Sequence, residues 1–266
     1  MGEMEFFLIL LHLVPGIRDR TIYKVLRALY FEGISPSRFL EFPFEIYRER
    51  FGLLEVSANA LGNQLDNLIY KAREASEKMR ELGFRAVSVF DETYPSKLKD
   101  FMDYPPPIIY ARGDMELLNS ETFSLLNSRD ADEKCMRLSL ETGKSFSGVA
   151  VGGLYGRNYR FFENIGGKRV AVSDRGIFQI SGRRLNSGFD AIVSFSGLDD
   201  MGTPGSMLMR DRVVVALSDV IVGICIREGG NMDKLLREAA QKGKETLLAE
   251  EDYNGDKLGG LKPLKI

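Results

Sequence analysis

The stretch MLMRDRVVVALSDVIVGICIREGGNMDKLLREAAQKGKETLLAE, residues 207–250, decides the fold class. An apolar helical segment, VVVALS, leads into VIVGICI, a continuous apolar run with the length and β-branched content of a buried strand. Glu228-Gly229-Gly230 breaks that run, Asn231 stands where an N-cap is expected, and NMDKLLREAAQKG returns to helical periodicity. ETLLAE then reads as a further short strand. Strand, glycine turn, helix and strand make a βαβ unit, in which ligands bind outside the carboxyl ends of parallel strands. Arg210 and Arg212 immediately precede the helix in this reading. With the N–H groups of Gly229 and Gly230 they would make an anion site of fixed charge plus backbone donors. The plain alternative is that both arginines pair with Asp211, Asp219 or other surface acids, to little energetic effect.

The same alternation extends upstream. FRAVSVF, PPPIIYARG, TFSLLNS, KSFSGVA, KRVAVS and AIVSFSG are short apolar runs, several of them separated by helical segments. This predicts an α/β domain over 63–266, built of βαβ units with a mostly parallel sheet. Residues 1–62 read instead as a small all-helical domain. Ile22, Val25, Leu26 and Leu29 recur at helical spacing, and Gly33 follows as a stop. LVPGIRDRTIYKVL resembles a helix-hairpin-helix, but Arg18 occupies the second glycine position, so the turn is read as a packing element.

SGVAVGGLYGRN, residues 147–158, holds four glycines in twelve residues. It follows KSF, read as a strand end, and precedes YRFFENIGG, read as a helix. That is the geometry of a phosphate cradle, yet neither GxGxxG nor GK[ST] is present, so a flexible turn reads equally well. A basic segment follows: Arg157, Arg160, Lys168, Arg169, Arg175, Arg183 and Arg184, opposed only by Glu163 and Asp174.

Bulk composition narrows the function. The net charge of −2 does not advertise a nucleic-acid binder, so such binding must come from a local patch. One histidine, His12, excludes His-based triads and His-rich metal sites and is read as a helix residue of the amino-terminal region. Two cysteines, Cys135 and Cys225, form no CxxC pair and suggest neither a disulfide framework nor zinc. The apolar run ending at Leu13 lacks a basic flank and is too short to span a bilayer, so a cytoplasmic protein without membrane contact is expected. No nucleophile elbow, metal-ligand set or carboxylate pair is visible, and neither catalysis nor a cofactor is expected.

Taken in order, the motifs resemble the DNA-processing protein A (DprA, also called Smf) family of the Rossmann-like LOG/DprA superfamily. FDETYPSKLKDFMDYPPPIIYARGD, LLNSRDA, SGVAVGG, GGKRVAV, MLMRDRVVVALSD and EGGNMDKLLREAAQKGKETLLA stand where that family has its recurrent motifs. The resemblance implies a small helical amino-terminal domain followed by an extended Rossmann-like domain with helices on both faces of its sheet, in a non-enzymatic, usually dimeric protein that binds single-stranded DNA in natural transformation and helps load the RecA recombinase. It implies backbone contacts from Ser128, Arg129, Ser147, Gly148, Gly152, Lys168, Arg210, Arg212 and Gly229, to which Arg157 and Gly230 are added from the adjacent basic and glycine-rich segments. Departures from the pattern are Asn127 for glycine, Leu154 for aspartate, Asn158 for histidine and Asp211 for asparagine, and no additional winged-helix segment follows. Two alternatives stay open: a nucleotide pocket of the LOG type, and a scaffold that has lost its ligand.

Overall fold

The computed structural model describes residues 2–249 and 262–264. The amino-terminal helices are α1 (Glu3–Leu13), α2 (Asp19–Glu32), α3 (Pro36–Leu40), α4 (Phe44–Glu49) and α5 (Glu55–Asn63), followed by the long α6 (Leu65–Glu81). α1 buries five consecutive residues, Phe7 to Leu11, because it packs against both α6 and the first strand. α2 is amphipathic, burying Ile22, Val25, Leu26 and Leu29, and ends at Gly33 in the left-handed conformation. The Pro15-Gly16 turn packs inward. A Cβ on Gly16 would lie 2.6 Å from Val56 Cγ1, and Ser57 Oγ donates to the Pro15 carbonyl at 2.7 Å.

The remaining elements are β1 (Phe84–Ser88), α7 (Ser96–Phe101), β2 (Ile108–Gly113), β3 (Thr122–Asn127), α8 (Glu133–Lys144), β4 (Val149–Gly153), β5 (Arg169–Ser173), α9 (Gly182–Leu185), β6 (Ala191–Ser194), α10 (Pro204–Leu217), β7 (Val220–Ile224), α11 (Asn231–Gln241), β8 (Glu245–Ala249) and β9 (Lys262–Leu264). Their order in the sheet is β1-β2-β6-β5-β4-β3-β7-β8-β9. Only β2 runs against its neighbours. α8 and α10 both pack on β3, which is buried along its whole length, so helices cover the sheet on both faces. From β3 the chain builds outward through β4, β5 and β6, and in the other direction through β7, β8 and β9. The strand order therefore reverses between β3 and β7, and the crevice expected of such a sheet opens beyond their carboxyl ends. One continuous apolar core joins α1, α2 and α6 to the strands.

Four local expectations are corrected. KSF is not a strand end: α8 runs to Lys144, and the strand is VAVGG itself, inside the glycine-rich stretch. Arg210 and Arg212 do not precede a helix but lie within α10, which starts at Pro204 behind a Thr203–Ser206 capping box. Asn231 is the first helical residue of α11, with Gly230 at the cap position. Cys135, in the first turn of α8, is disulfide-bonded to Cys225, just past β7, across 90 residues. Pairing of β3 with β7 brings these two segments together, which cysteine spacing could not reveal.

Candidate functional site

Strand direction divides the residues singled out from sequence into two groups. Ser147 and Gly148 precede β4, and Lys168 precedes β5, so all three sit at the amino ends of the strands, opposite the crevice. Gly148 and Lys168 have structural roles there. A Cβ on Gly148 would lie 2.6 Å from the Glu121 carbonyl oxygen, which is why glycine occupies this left-handed turn at φ +109°. Lys168 Nζ donates to Asp190 Oδ1 at 2.8 Å. Gly152 lies inside β4 and makes room for the Phe162 ring, 2.7 Å from where its Cβ would stand. The glycines of VAVGG thus serve close packing rather than anion binding. Only Gly156, at φ +112°, belongs to an exposed turn at the carboxyl edge.

Ser128, Arg129, Arg157, Gly229 and Gly230 do meet at that edge, though not as equivalent groups. Ser128 is buried, and its Oγ accepts the Arg227 N–H at 2.8 Å, pinning the loop after β7. The Gly229 N–H donates to Asp233 Oδ2 at 2.8 Å, and the Gly230 N–H to the Arg227 carbonyl at 3.1 Å. The turn's donors are satisfied within the chain. Arg212 points from α10 toward α11 and pairs with Glu238 at 2.6 Å.

Arg210 is the largest departure from the sequence reading. It is 2% exposed. Its Nε and Nη2 grip Asp211 Oδ1 at 3.0 and 2.7 Å, its Nη1 donates to the Tyr155 carbonyl at 2.7 Å, and Tyr159 donates to the same Asp211 oxygen at 3.1 Å. Asp174, also buried, accepts no hydrogen bond and sits 3.6 Å from Arg210 Nη1. Burial outweighs the cation at Asp211 and pushes its carboxyl up from the ordinary aspartate range. Asp211, where the family pattern has asparagine, thereby lies against the Arg210 guanidinium, and Leu154, where it has aspartate, is buried in the apolar core. The two remaining departures also meet. Asn127 and Asn158 each direct a side-chain amide N–H toward the other's backbone carbonyl at 3.4 Å, and Asn127 further bonds Ser139.

Charge available to a ligand lies just beyond this buried pair. A hollow of about 250 Å³ opens between α8 and the 3-10 helix Arg157–Asn164, with Met136, Leu140 and Phe161 among its apolar residues and Arg137, Arg157 and Arg160 among its polar ones. Arg129 is exposed two residues before this hollow begins, close enough to Asp211 to lower its carboxyl. None of these four arginines forms an ion pair among the described residues. Arg137 was missed from sequence; it lies on the exposed face of α8, which starts four residues after Arg129. Among the described residues there is no cluster of three or more His, Cys, Asp or Glu placed for a metal, and no helix long and apolar enough to cross a membrane. His12 donates to or accepts from the Tyr110 hydroxyl at 2.6 Å, and burial lowers its pKa to about 4.

The family described as DNA recombination-mediator protein A matches residues 85–153, from β1 to the end of β4. No curated protein sequence matches the chain. Among solved structures, DNA processing protein A (DprA) from Streptococcus pneumoniae shares the fold with a TM-score of 0.71 and 16% identity, over 99% of this chain and 95% of that one. DNA processing protein A from Helicobacter pylori, whose structure addresses its single-stranded DNA binding mode, shares it with a TM-score of 0.53 and 20% identity, over 64% of this chain and 82% of that one. The family match spans β1 to β4, about a quarter of the chain, and the fold is shared with DprA along nearly its whole length.

Proposed function

We propose that the protein binds single-stranded DNA by its backbone, without reading sequence, along the carboxyl edge beside β3 and β4. The observation that carries this reading is the set of four arginines, Arg129, Arg137, Arg157 and Arg160, which form no ion pair among the described residues and outnumber Asp132 and Glu133, the acids that line the same hollow. Phosphates supply the missing counter-charge, and the apolar floor of the hollow accepts a base. The likeness to DprA supports a role in DNA recombination. Handing strands to RecA during transformation, acting as a homodimer and working in the cytoplasm belong to the same proposal, as does the absence of catalysis.

An anisotropy titration with fluorescent oligo-dT at low salt tests it. Binding that weakens steeply with salt is expected, because phosphate contacts release counterions. A folded sample that binds no oligonucleotide at micromolar concentration would sink the reading.

The Arg210–Asp211 pair is buried among the chain's own side chains, as in a scaffold without a ligand. The unpaired arginines around it favour retained binding. A mononucleotide reading rests on the hollow of about 250 Å³, which suits one base and its phosphate. Thermal stabilisation by a nucleoside monophosphate, without oligonucleotide affinity, would select it.

A further inference from the structure

The amino-terminal helices carry a surface that the carboxyl-edge reading leaves unused. On α2, Tyr30 and Phe31 are 62% and 68% exposed, and Tyr23 is 38% exposed. Their rings gather around Phe90, two residues past β1. Tyr30 stacks on it at 5.3 Å and 20°, while Tyr23 and Phe31 approach at 5.4 and 5.9 Å. Rings clustered in this way at a surface mark a contact site.

Cations alternate with these rings. Lys24 and Arg27 are exposed, and the Arg27 guanidinium stands 5.9 Å over the Phe31 ring. Neither forms an ion pair among the described residues. Both line a hollow of about 370 Å³ together with Phe31, Phe51 and the Glu32–Arg50 pair. A protein partner covering this face would have to desolvate two cations and match each with a carboxylate. A single strand brings a base for each ring and a phosphate for each cation.

We propose that this face of α2 is a second contact surface for single-stranded DNA, with Tyr23, Tyr30 and Phe31 as a stacking platform and Lys24 and Arg27 on the phosphates. The proposal rests on the single-strand reading of the carboxyl edge. β1 is antiparallel to β2, and β2 to β6, so Phe90 leaves the sheet at the same edge as Arg129. Five strand spacings, about 24 Å, separate β1 from β3. Asp199 and Asp200, after β6, lie between them, and Asp200 is near enough to raise the carboxyl of Asp19. A bound strand touches both surfaces and passes over this acidic interval, so only oligonucleotides long enough to bridge it engage both.

The chain contains no tryptophan, so Tyr30→Trp provides a single reporter in the full-length protein. Oligo-dT of about 20 nucleotides is expected to quench its emission, whereas about 5 nucleotides should bind the carboxyl edge with less quenching. Tyr30→Ala with Phe31→Ala is expected to weaken binding of the long oligonucleotide at least about fivefold and to leave the short one unchanged. Both side chains are exposed, and an unaltered melting temperature would show that folding is intact. If anisotropy reports binding of the long oligonucleotide without quenching, and the double variant binds it as tightly as wild type, the proposal is overturned while the carboxyl-edge reading stands. If the double variant instead abolishes self-association without affecting DNA, the surface belongs to a second copy and the proposal is likewise overturned. No binding of either oligonucleotide by the wild type removes the carboxyl-edge reading, and this inference with it.

Discussion

Arg210 and Arg157 stand at the same edge of the same sheet, and a sequence reading treats them alike. Arg210 is enclosed by Asp211, Asp174 and Tyr159, while Arg157 borders an open hollow without an ion-pair partner among the described residues. The first is part of the fold, the second is available to a ligand. Removing each should therefore have opposite consequences. Arg210→Ala leaves two buried carboxylates without their cation and is expected to cost about 3–5 kcal/mol, read from urea unfolding. Replacing Arg210 and Asp211 together by Met and Leu should recover a substantial part of that loss. If Arg210→Ala kept wild-type stability and lost only oligonucleotide affinity, the distinction between the two arginines would collapse.

The open side of the comparison depends on α8, which carries Arg137 and is tied to β7 by the Cys135–Cys225 disulfide. Closing a loop of 90 residues restricts the unfolded chain far more than the folded one. Replacing both cysteines by serine, or reducing the bond, is expected to lower stability by about 2–4 kcal/mol. Unfolding midpoints with and without reductant measure this. Equal midpoints would mean that α8 is held by packing alone.

Acid separates the two regions in another way. His12 has a folded pKa of about 4 against an ordinary value of 6.5, because burial disfavours its charged form. Between those values the unfolded chain binds the extra proton, so stability falls as pH drops from about 6.5 to about 4, by roughly 3 kcal/mol. His12→Gln should flatten that segment of the stability profile. Phosphate contacts made by guanidinium groups do not depend on pH in this range, so oligonucleotide affinity of the folded protein should change far less over the same window. A fall in affinity that tracked the fall in stability would place a titrating group inside the binding site.

The βαβ alternation was legible because apolar runs and helical periodicity survive without knowledge of partners. β4 was the exception. Its VAVGG sequence looks like a loop, since a glycine needed for close ring packing, as Gly152 is against Phe162, reads the same as one needed for a left-handed turn, as Gly156 is. Placing the strand end at Phe146 rather than at Gly153 moved Ser147 and Gly148 to the wrong end of the sheet. The motif series led to the family whose model matches residues 85–153 and to a fold shared with DprA, but motif order does not tell which arginine is enclosed. This depends on Asp211 and Tyr159, 52 residues apart and adjacent only after folding. The disulfide was illegible for the same reason.

The smallest effect is the most specific. Arg157→Gln and Arg160→Gln change exposed side chains without ion-pair partners among the described residues, so each should alter stability by less than about 0.5 kcal/mol. If each arginine contacts one phosphate, the slope of log affinity against log salt should become shallower by about 0.7 per substitution. Affinity should weaken equally for oligo-dT and mixed sequences, because a backbone contact carries no base information. A substitution that weakened one sequence more than another would point to a base contact in the hollow. One that left the slope unchanged would remove that arginine from the track. A steady loss of slope across Arg129, Arg137, Arg157 and Arg160, set against none for Lys168 at the opposite edge, would show that the strand follows the carboxyl ends.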